Sequence, residues 1–465
     1  MPRTIVTIDF GIDGNWELRL EKAPANISEG RRPSPFKCNP DRMPSWDAPH
    51  AVKLHGQTLL AALKSNPAVK QAIEQALSVP PGGMSPVYFQ LNERAAEQLC
   101  WETLYSDETS FIGLDSRWPI GRIADSVVDW DNAPPSFKPP LKIAAVLSAL
   151  NRSAAGQWAA LRQAVSGARG SGLECKVLVL VGEEDLLENI KAAGADWVTV
   201  APVPDRTQDF ARKLSEFGPH IMHFFCHGSA SHNVPRLEVA TILDWMDGAK
   251  TGSLKLSVEA LQAMPALAKV WLVVLNCCES SRAVENSHSM AYSLVTNVVQ
   301  AAIGTLEPFD VADAHELAAG LYEPLLQRLA DILAVPGQEN FVELEWATAL
   351  RGARHGLSER HGSDPHNHRQ WALPVLYTRK APFWLRVARE IAIPPAQVAA
   401  WKRRAEVVAG ELRALPPSTS KEVRSVVLGV IEDVPSWLKP DLSGNFEQST
   451  NARADPGSTA GIFVD

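Results

Sequence analysis

The sequence is poor in several features that would each indicate a particular class of protein. It holds six cysteines in 465 residues, too few for a disulfide framework, and most lie in apolar stretches, where free thiols serve as small core residues. No apolar stretch approaches the roughly 18 residues of a membrane-spanning helix. The N-terminus also lacks the apolar stretch of a signal peptide. These absences predict a cytoplasmic protein that makes no use of a membrane.

Long runs of basic charge are also missing. The formal net charge is −8, which argues against broad electrostatic binding to nucleic acid. Residues 181–184 lack the Gly-Lys-Ser/Thr ending of a phosphate-binding loop. A polar loop at 361–368 holds three histidines, but no second group of ligands accompanies them, and a solvated loop explains them better than a metal site. We therefore expect no cofactor, no metal and no nucleic-acid partner.

What the sequence does contain, after residue 140, is an alternation of short apolar runs and helical patterns. The predicted strands are 142–148, 175–182, 220–226, 270–276, 299–306 and 371–377. Apolar runs of this kind, with helical segments between them, are typical of buried parallel strands joined by crossover helices. We predict an α/β fold, a three-layer sandwich around a mostly parallel six-stranded sheet.

Composition divides the chain into three parts. A proline-rich linker at 131–140 separates an N-terminal α+β part, 1–130, from the alternating core at 141–380. After the core, residues 395–415 read as an amphipathic helix, and a polar tail follows. We predict that 381–465 form a helical C-terminal extension that ends in a flexible tail.

A histidine and a cysteine each follow one of the apolar runs. His227 comes after the run that begins at Ile221, and Cys278 after the run that begins at Val270. Because open parallel sheets carry their ligand sites beyond the carboxyl ends of the strands, we expect both side chains at one edge. A thiolate nucleophile beside a histidine that transfers protons is suited to cysteine hydrolase chemistry. The backbone N–H groups of Gly228 and Cys278 are the candidate oxyanion hole.

Each of these residues also has a simpler interpretation. His227 alone reads as a strand-end histidine, and Cys278 alone as a core thiol. The two residues lie at two strand ends, with the histidine first and the cysteine about 50 residues later. Caspases have the same order and spacing, which favours the catalytic interpretation. Cys277 competes with Cys278, because neighbours in an extended backbone face opposite sides and only one can serve. Spacing alone does not choose between the two thiols.

The motifs resemble those of the CHAT family of caspase-like peptidases, which are related to caspases and separases. The family's first motif, an apolar strand ending in Cys-His-Gly, matches Cys226-His227-Gly228. Its second, Leu-Ser-Ala-Cys-Glu-Thr-Gly after an apolar strand, matches Leu275-Asn276-Cys277-Cys278-Glu279-Ser280-Ser281. The resemblance implies a caspase-like fold, with Cys278 as the nucleophile and His227 as the acid and base.

Further stretches extend the resemblance over about 85–380. They are Cys100-Trp101-Glu102-Thr103-Leu104, the segment 302–310 and the segment 371–377. The chain also departs from the family pattern. Glu307 stands where the family usually has Trp, and Ser281 stands where it has Gly after the nucleophile. Both departures leave the histidine and the cysteine in place but lie where they would reshape a substrate cleft.

The resemblance also bears on specificity. In related separase-like enzymes, an acidic residue in the loop after the fifth strand receives a basic P1 side chain. Here that loop carries Asp310 and Asp313, with Glu307 before them, and a carboxylate would bind Arg or Lys through charge-assisted hydrogen bonds. The alternative is that Asp310 caps the helix that begins at Val311. The sequence supports both interpretations equally.

The hypothesis from the sequence is a caspase-like cysteine endopeptidase that cleaves protein substrates after a basic residue. The family implies a regulated role in bacterial signalling or defence, with an activating or regulatory protein partner. A non-catalytic interaction module of the same fold is the main alternative, and the intact histidine and cysteine argue against it. A cysteine hydrolase acting on a non-peptide amide is a third, which only the resemblance disfavours.

Overall fold

The computed structural model describes most of the chain. The described residues are 3–11, 15–23, 27, 32–38, 43–44, 51–125, 134–231, 234–277, 288–333, 340–362, 364–387, 395–431, 434, 439–443 and 445. The chain forms two compact units. One consists of Met1–Pro336 with Phe341–Val387, and the other of Gly337–Asn340 with Ala388–Asp465.

Strands and helices alternate through most of the first unit. Among the described residues, the strands are β1 (Thr4–Phe10), β2 (Trp16–Lys22), β3 (Ser34–Pro35), β4 (Val87–Leu91), β5 (Tyr105–Ser106), β6 (Ser110–Phe111), β7 (Ile120–Ile123), β8 (Ser136–Phe137), β9 (Leu141–Ser148), β10 (Cys175–Val181), β11 (Val198–Pro202), β12 (Ile221–Ser231), β13 (Val234–Val239), β14 (Leu254–Ser257), β15 (Leu272–Leu275), β16 (Ala301–Thr305), β17 (Asn340–Leu344), β18 (Pro374–Thr378) and β19 (Phe383–Val387). The α-helices are α1 (Ala51–Leu63), α2 (Pro67–Leu77), α3 (Ala155–Gly170), α4 (Glu184–Ala193), α5 (Thr207–Phe217), α6 (Ile242–Met246), α7 (Val258–Gln262), α8 (Met290–Asn297), α9 (Val311–Leu333), α10 (Leu350–Arg360), α11 (Pro395–Ala414) and α12 (Lys421–Gly429).

One large sheet organises the first unit. Its strand order is β11-β10-β9-β12-β15-β16-β18-β7-β4-β1-β2-β3, and β13 and β14 extend it from β12. The pairs from β11 to β16 are parallel, whereas β18 runs antiparallel to β16. The central strands are buried along almost their whole length, as expected where both faces of a sheet are covered. The predicted α/β class, with a mostly parallel central sheet, is confirmed.

The six predicted strands lie side by side in this sheet, in the order β10-β9-β12-β15-β16-β18. The sheet is wider than the six strands predicted, because both of its edges continue. On one edge β11 pairs with β10, and on the other β7 pairs with β18 through Tyr377 opposite Arg122. The second pairing joins segments about 250 residues apart in the chain. A local pattern of apolar residues cannot predict such a pairing.

Some of the helix ends coincide with caps that the sequence supplies. The Asn66 side chain accepts hydrogen bonds from the backbone N–H groups of Ala68 and Val69, and Pro67 is the first residue of α2. Helices α4 and α5 end at Gly194 and Gly218, both in the left-handed conformation that favours glycine. These local signals set the connections between the strands.

The second unit contains α11 and α12, and α11 covers the helix predicted at 395–415. Its small apolar cluster consists of Ala405, Val408, Leu412, Ile431 and Val434. In the described ranges, no helix combines the length and the apolar character needed to cross a bilayer.

Candidate active site

His227 lies where β12 leaves the parallel part of the sheet. Up to Cys226, β12 pairs with β9. From His227 to Ser231 it pairs instead with β13 as an antiparallel hairpin, with His227 opposite Glu238. The prediction that the strand ends at 226 is therefore wrong. The apolar run stops there because the hairpin beyond it is half-buried, but the extended backbone continues.

The backbone of the loop after β9 determines which nitrogen of His227 can act as a base. Nε2 of His227 lies 2.9 Å from the carbonyl oxygen of Leu150. A carbonyl can only accept a hydrogen bond, so Nε2 carries the proton in the neutral ring. The lone pair of the neutral ring is then on Nδ1, and the ring is half-buried.

The residues that follow β15 are held firmly up to Cys277. Asn276 is buried, and its side-chain amide donates to Gln157 Oε1 at 3.1 Å and to the Ala314 carbonyl at 2.7 Å. The Cys277 carbonyl accepts a hydrogen bond from the Thr305 hydroxyl at 2.9 Å. The backbone is thus fixed at the residue directly before the predicted nucleophile. Cys278 itself, and with it the predicted oxyanion N–H, lies outside the described residues.

A small recess lies at the carboxyl ends of these strands, which is the end of the sheet where the sequence predicts the site. It is bordered by Ala149, Arg152, Phe225, Cys226, His227, Asn276, Cys277, Thr305, Phe309, Asp310, Val311 and Ala314. These residues come from the carboxyl ends of β9, β15 and β16, from β12, and from the start of α9. Gly228 follows His227 in β12 and is half-buried.

The three acidic candidates for substrate binding lie in different surroundings. Asp310 borders the recess and is exposed, and its Oδ1 accepts the backbone N–H of Asp313 at 2.7 Å. One of its carboxylate oxygens therefore caps α9, as the capping interpretation predicts. Asp313 is buried and engages Arg360 Nε at 2.9 Å and His361 Nε2 at 2.7 Å.

Glu307 forms an ion pair with Arg369 at 2.6 Å. Glu307 and Asp313 thus both have cationic partners from segments far along the chain, and neither borders the recess. Among the three predicted carboxylates, Asp310 alone meets the strand ends that carry His227 and Cys277.

A buried polar layer behind the recess was not predicted from the sequence. Nε2 of His223 lies 3.1 Å from Oε1 of Gln157, the same oxygen that binds Asn276. Burial lowers the pKa of His223 to about 3, so its ring is neutral and positions Gln157. The position of Asn276 within the second motif is the one sequence signal for this layer.

The other cysteines with shifted pKa values are poorly suited to act as nucleophiles. Burial raises the pKa of Cys38 and of Cys175 to about 11, and it raises the pKa of Cys100 well above the ordinary value of a thiol. A thiol that stays protonated at neutral pH does not supply a thiolate.

The Trp-Glu motif near residue 100 forms a buried ion pair. Glu102 binds Arg122 through two hydrogen bonds, Nε to Oε1 at 3.1 Å and Nη2 to Oε2 at 2.7 Å. Both side chains are fully buried.

The described ranges hold no group of three or more His, Cys, Asp or Glu side chains that could bind a metal ion.

A second buried carboxylate reaches the segment that follows the predicted nucleophile. Glu97 accepts the Tyr377 hydroxyl at 2.9 Å, lies 2.5 Å from Nδ1 of His288, and accepts the Ser289 backbone N–H at 3.4 Å. His288 is the first described residue after 278–287. Glu97 therefore anchors one end of that segment.

The family comparison agrees with the motifs. The CHAT domain family model matches residues 146–379. A solved structure described as "Structure of Protease" is 12% identical over 75% of this chain and 72% of its own, with a TM-score of 0.36. A Saccharomyces cerevisiae separase–securin complex is 10% identical over 70% of this chain and 17% of its own, with a TM-score of 0.33. No curated protein matches the sequence.

The matched region runs from within β9 to just beyond β18, and it contains both motifs and every strand end that borders the recess. It also spans half of the chain. The protein therefore belongs to the CHAT domain family, as its motifs predict.

Proposed function

We propose that the protein is a caspase-like cysteine endopeptidase that cleaves protein substrates after a basic residue, with Cys278 as nucleophile and His227 as acid and base. The main observation behind the proposal is the recess at the carboxyl ends of the central strands. It joins His227, whose Nε2 is held by a backbone carbonyl, to Cys277, the residue directly before Cys278. The family match supports the same chemistry.

The proposed reaction uses His227 in both directions. Nδ1 takes the proton of the Cys278 thiol, and the thiolate attacks the scissile carbonyl carbon. The backbone N–H groups of Gly228 and Cys278 stabilise the oxyanion of the tetrahedral intermediate. His227 then gives its proton to the leaving amine, which departs and leaves a thioester. Water, deprotonated by the same nitrogen, hydrolyses the thioester and restores the thiol.

For the basic specificity we propose Asp310 as the residue that recognises the substrate. It is exposed, it borders the recess, and its position suits a carboxylate that meets the side chain preceding the scissile bond. Glu307 and Asp313 are less suited, because each is already bound to an arginine.

The family is what supports the wider setting that we propose for this activity. That setting is a regulated cytoplasmic pathway of bacterial signalling or defence, in which a protein partner activates the enzyme.

The test is cleavage of a fluorogenic peptide library that varies the P1 residue. We expect the wild type and Cys277→Ala to cleave after Arg or Lys, and Cys278→Ala and His227→Ala to be inactive. Cys277→Ala is the matched control, because it removes the adjacent thiol and leaves the proposed nucleophile. If activity is lost in Cys277→Ala but kept in Cys278→Ala, the nucleophile is Cys277 and our assignment is wrong.

A wild type that cleaves nothing requires a second measurement. A peptide carrying a thiol-reactive warhead labels a competent thiolate even where turnover is slow. Absence of labelling at Cys278 would favour the non-catalytic interaction module. Labelling at Cys278 that depends on His227 would support a peptidase awaiting its activator.

A further inference from the structure

A cavity much larger than the recess lies elsewhere in the first unit. Its volume is about 680 Å³, compared with about 20 Å³ for the recess beside His227. It is bordered by the second half of α9, the start of α10, the end of β17 and the turns near residues 83 and 115. Volumes of roughly 300–1,000 Å³ are typical of sites for small organic molecules.

One side of the cavity is apolar. Leu325 and Leu329 of α9, Leu344 of β17 and Trp346 all border it, and each is buried. Such a wall favours the apolar body of a ligand, because the ligand loses contact with water when it binds.

Basic side chains border the same space. Arg328 of α9 makes one long hydrogen bond, to the Thr348 hydroxyl at 3.4 Å. Within the described part of the chain, neither Arg328 nor Arg351 of α10 has a carboxylate oxygen within 4.0 Å. Arg354 also borders the cavity, but it is buried and donates to the carbonyls of Gly113 and Pro374. Arg328 and Arg351 thus form no ion pair with any carboxylate among the residues that the structure describes.

Each of the two carboxylates that border the cavity is hydrogen-bonded to another arginine. Asp115 is engaged by Arg117 through two hydrogen bonds, at 3.0 and 2.8 Å. These bonds to Arg117 lower the pKa of Asp115, and the charge of Arg351 adds to the effect. Glu345 binds Arg3 at 2.9 Å and also accepts the Tyr88 hydroxyl. Three arginines and two carboxylates border the cavity, so positive side chains outnumber negative ones there.

We propose that this cavity binds a small organic anion. The apolar body of the ligand packs against the leucines and Trp346, and its phosphate or carboxylate group is bound by Arg328 and Arg351. Arginine suits this role, because its planar group of donors matches both anions and stays charged. The site is separate from the recess, and the proposal does not depend on peptidase activity.

The experiment uses the full chain and four probes that separate charge from apolar contact. They are 1-naphthyl phosphate, 1-naphthoate, the uncharged 1-naphthol and inorganic phosphate. The chain is labelled with 5-fluorotryptophan, and the ¹⁹F signal of Trp346 is identified by its loss in Trp346→Phe. Isothermal titration calorimetry on unlabelled protein measures the same affinities if that variant does not fold.

We expect 1-naphthyl phosphate or 1-naphthoate, or both, to bind saturably and to shift the Trp346 signal. Which of the two binds more tightly identifies the anionic group. The double variant Arg328→Gln/Arg351→Gln should bind about tenfold or more weakly. Arg162→Gln is the matched control, because Arg162 is an exposed arginine of α3 outside the cavity, and its affinity should not change. Equal melting temperatures would show that the variants are folded.

Three results would overturn the proposal. The first is no saturable binding of either naphthyl anion. The second is equal affinity for 1-naphthol and the anions, which would show a purely apolar cavity. The third is unchanged affinity in the double variant, which would mean that both arginines are only solvated.

Discussion

At the scale of single residues, one substitution can separate the helix cap that Asp310 forms from the substrate recognition proposed for it. Its Oδ1 caps α9 by accepting the Asp313 N–H, and its exposed position at the recess suits recognition of a basic side chain. Asparagine caps helices about as well as aspartate, but it carries no charge. Asp310→Asn therefore removes the charge and leaves the cap.

We expect Asp310→Asn to lower kcat/KM for peptides with Arg or Lys before the scissile bond by roughly 10- to 100-fold, the value of a charge-assisted hydrogen bond. Cleavage of peptides without a basic residue there should change little. Glu307→Gln is the matched control from the same loop, since Glu307 pairs with Arg369 outside the recess. Equal kinetics in Asp310→Asn and the wild type would refute the assignment.

Buried histidines make stability depend on pH. Burial lowers the pKa of His223 to about 3, and burial with the nearby charge of Lys142 lowers that of His220 to about 4. The ordinary value of about 6.5 applies in the unfolded chain. Between that value and the folded one, the unfolded state binds protons that the folded state does not. The free energy of unfolding therefore falls as pH falls.

His223→Gln should weaken this dependence. One proton contributes up to about 1.4 kcal/mol per pH unit, and glutamine keeps a polar group beside Gln157 without titrating. The variant is less stable than the wild type at pH 7, but it should lose less stability between pH 6 and pH 4. Melting temperatures across this range measure the effect. Parallel curves for the two proteins would contradict it.

At the scale of elements, the sequence predicts each piece better than the pairing between pieces. The apolar runs locate the six central strands, and two of these strands carry the site motifs. The continuation of β12 beyond His227 could not be predicted, because its hairpin with β13 is only half-buried and its residues lack a strong apolar pattern. The partners of Glu307 and Asp313 were also unpredictable, because Arg369 and Arg360 come from distant segments.

The contacts of Glu97 lead to a prediction about the residues that follow the proposed nucleophile. Glu97 holds His288 and Ser289, which directly follow 278–287. In Glu97→Ala, the Tyr377 hydroxyl keeps the hydrogen bond that it accepts from Arg122 but loses the acceptor for its own proton. Leaving a buried donor without an acceptor costs about 1–3 kcal/mol. We expect a lower melting temperature, and a decrease in kcat that exceeds any change in KM.

Glu108→Ala is the control for this prediction, because Glu108 is exposed in a nearby turn and should leave both measurements unchanged. A decrease in melting temperature with unchanged kcat would show that Glu97 is purely structural. Unchanged values of both would mean that the anchor contributes nothing measurable.

At the scale of the whole molecule, α9 borders both the recess and the cavity, and α10 borders the cavity. Val311 and Ala314 of α9 lie at the recess, and Arg328 of the same helix lies at the cavity. At 1.5 Å per residue, the two ends are about 20 Å apart. Helix α10 starts at the cavity and ends at Arg360, which binds Asp313 near the start of α9. The two sites therefore share α9, and α10 connects the cavity to the start of that helix through Arg360.

The central sheet extends beyond the region that the family model matches, and this bears on whether that region can fold alone. The family match begins at residue 146, but β7, β4, β1 and β2 continue the same sheet beyond β18. Removing residues 1–125 would expose the edge of β18. It would also leave the buried Arg354 without Glu102, and the buried Tyr377 without Glu97. An open sheet edge and unpaired buried groups both favour aggregation.

We therefore expect the fragment 134–387 alone to aggregate or to unfold without a cooperative transition. Co-expression of a separate 1–125 chain should restore a soluble complex with a single melting transition, because β7 can still pair with β18. Size-exclusion chromatography and thermal unfolding of the fragment, the pair and the intact protein measure this. A fragment that is soluble and unfolds cooperatively alone would show that the N-terminal strands are an addition to the fold. Restoration by residues 1–125 would show that they complete it.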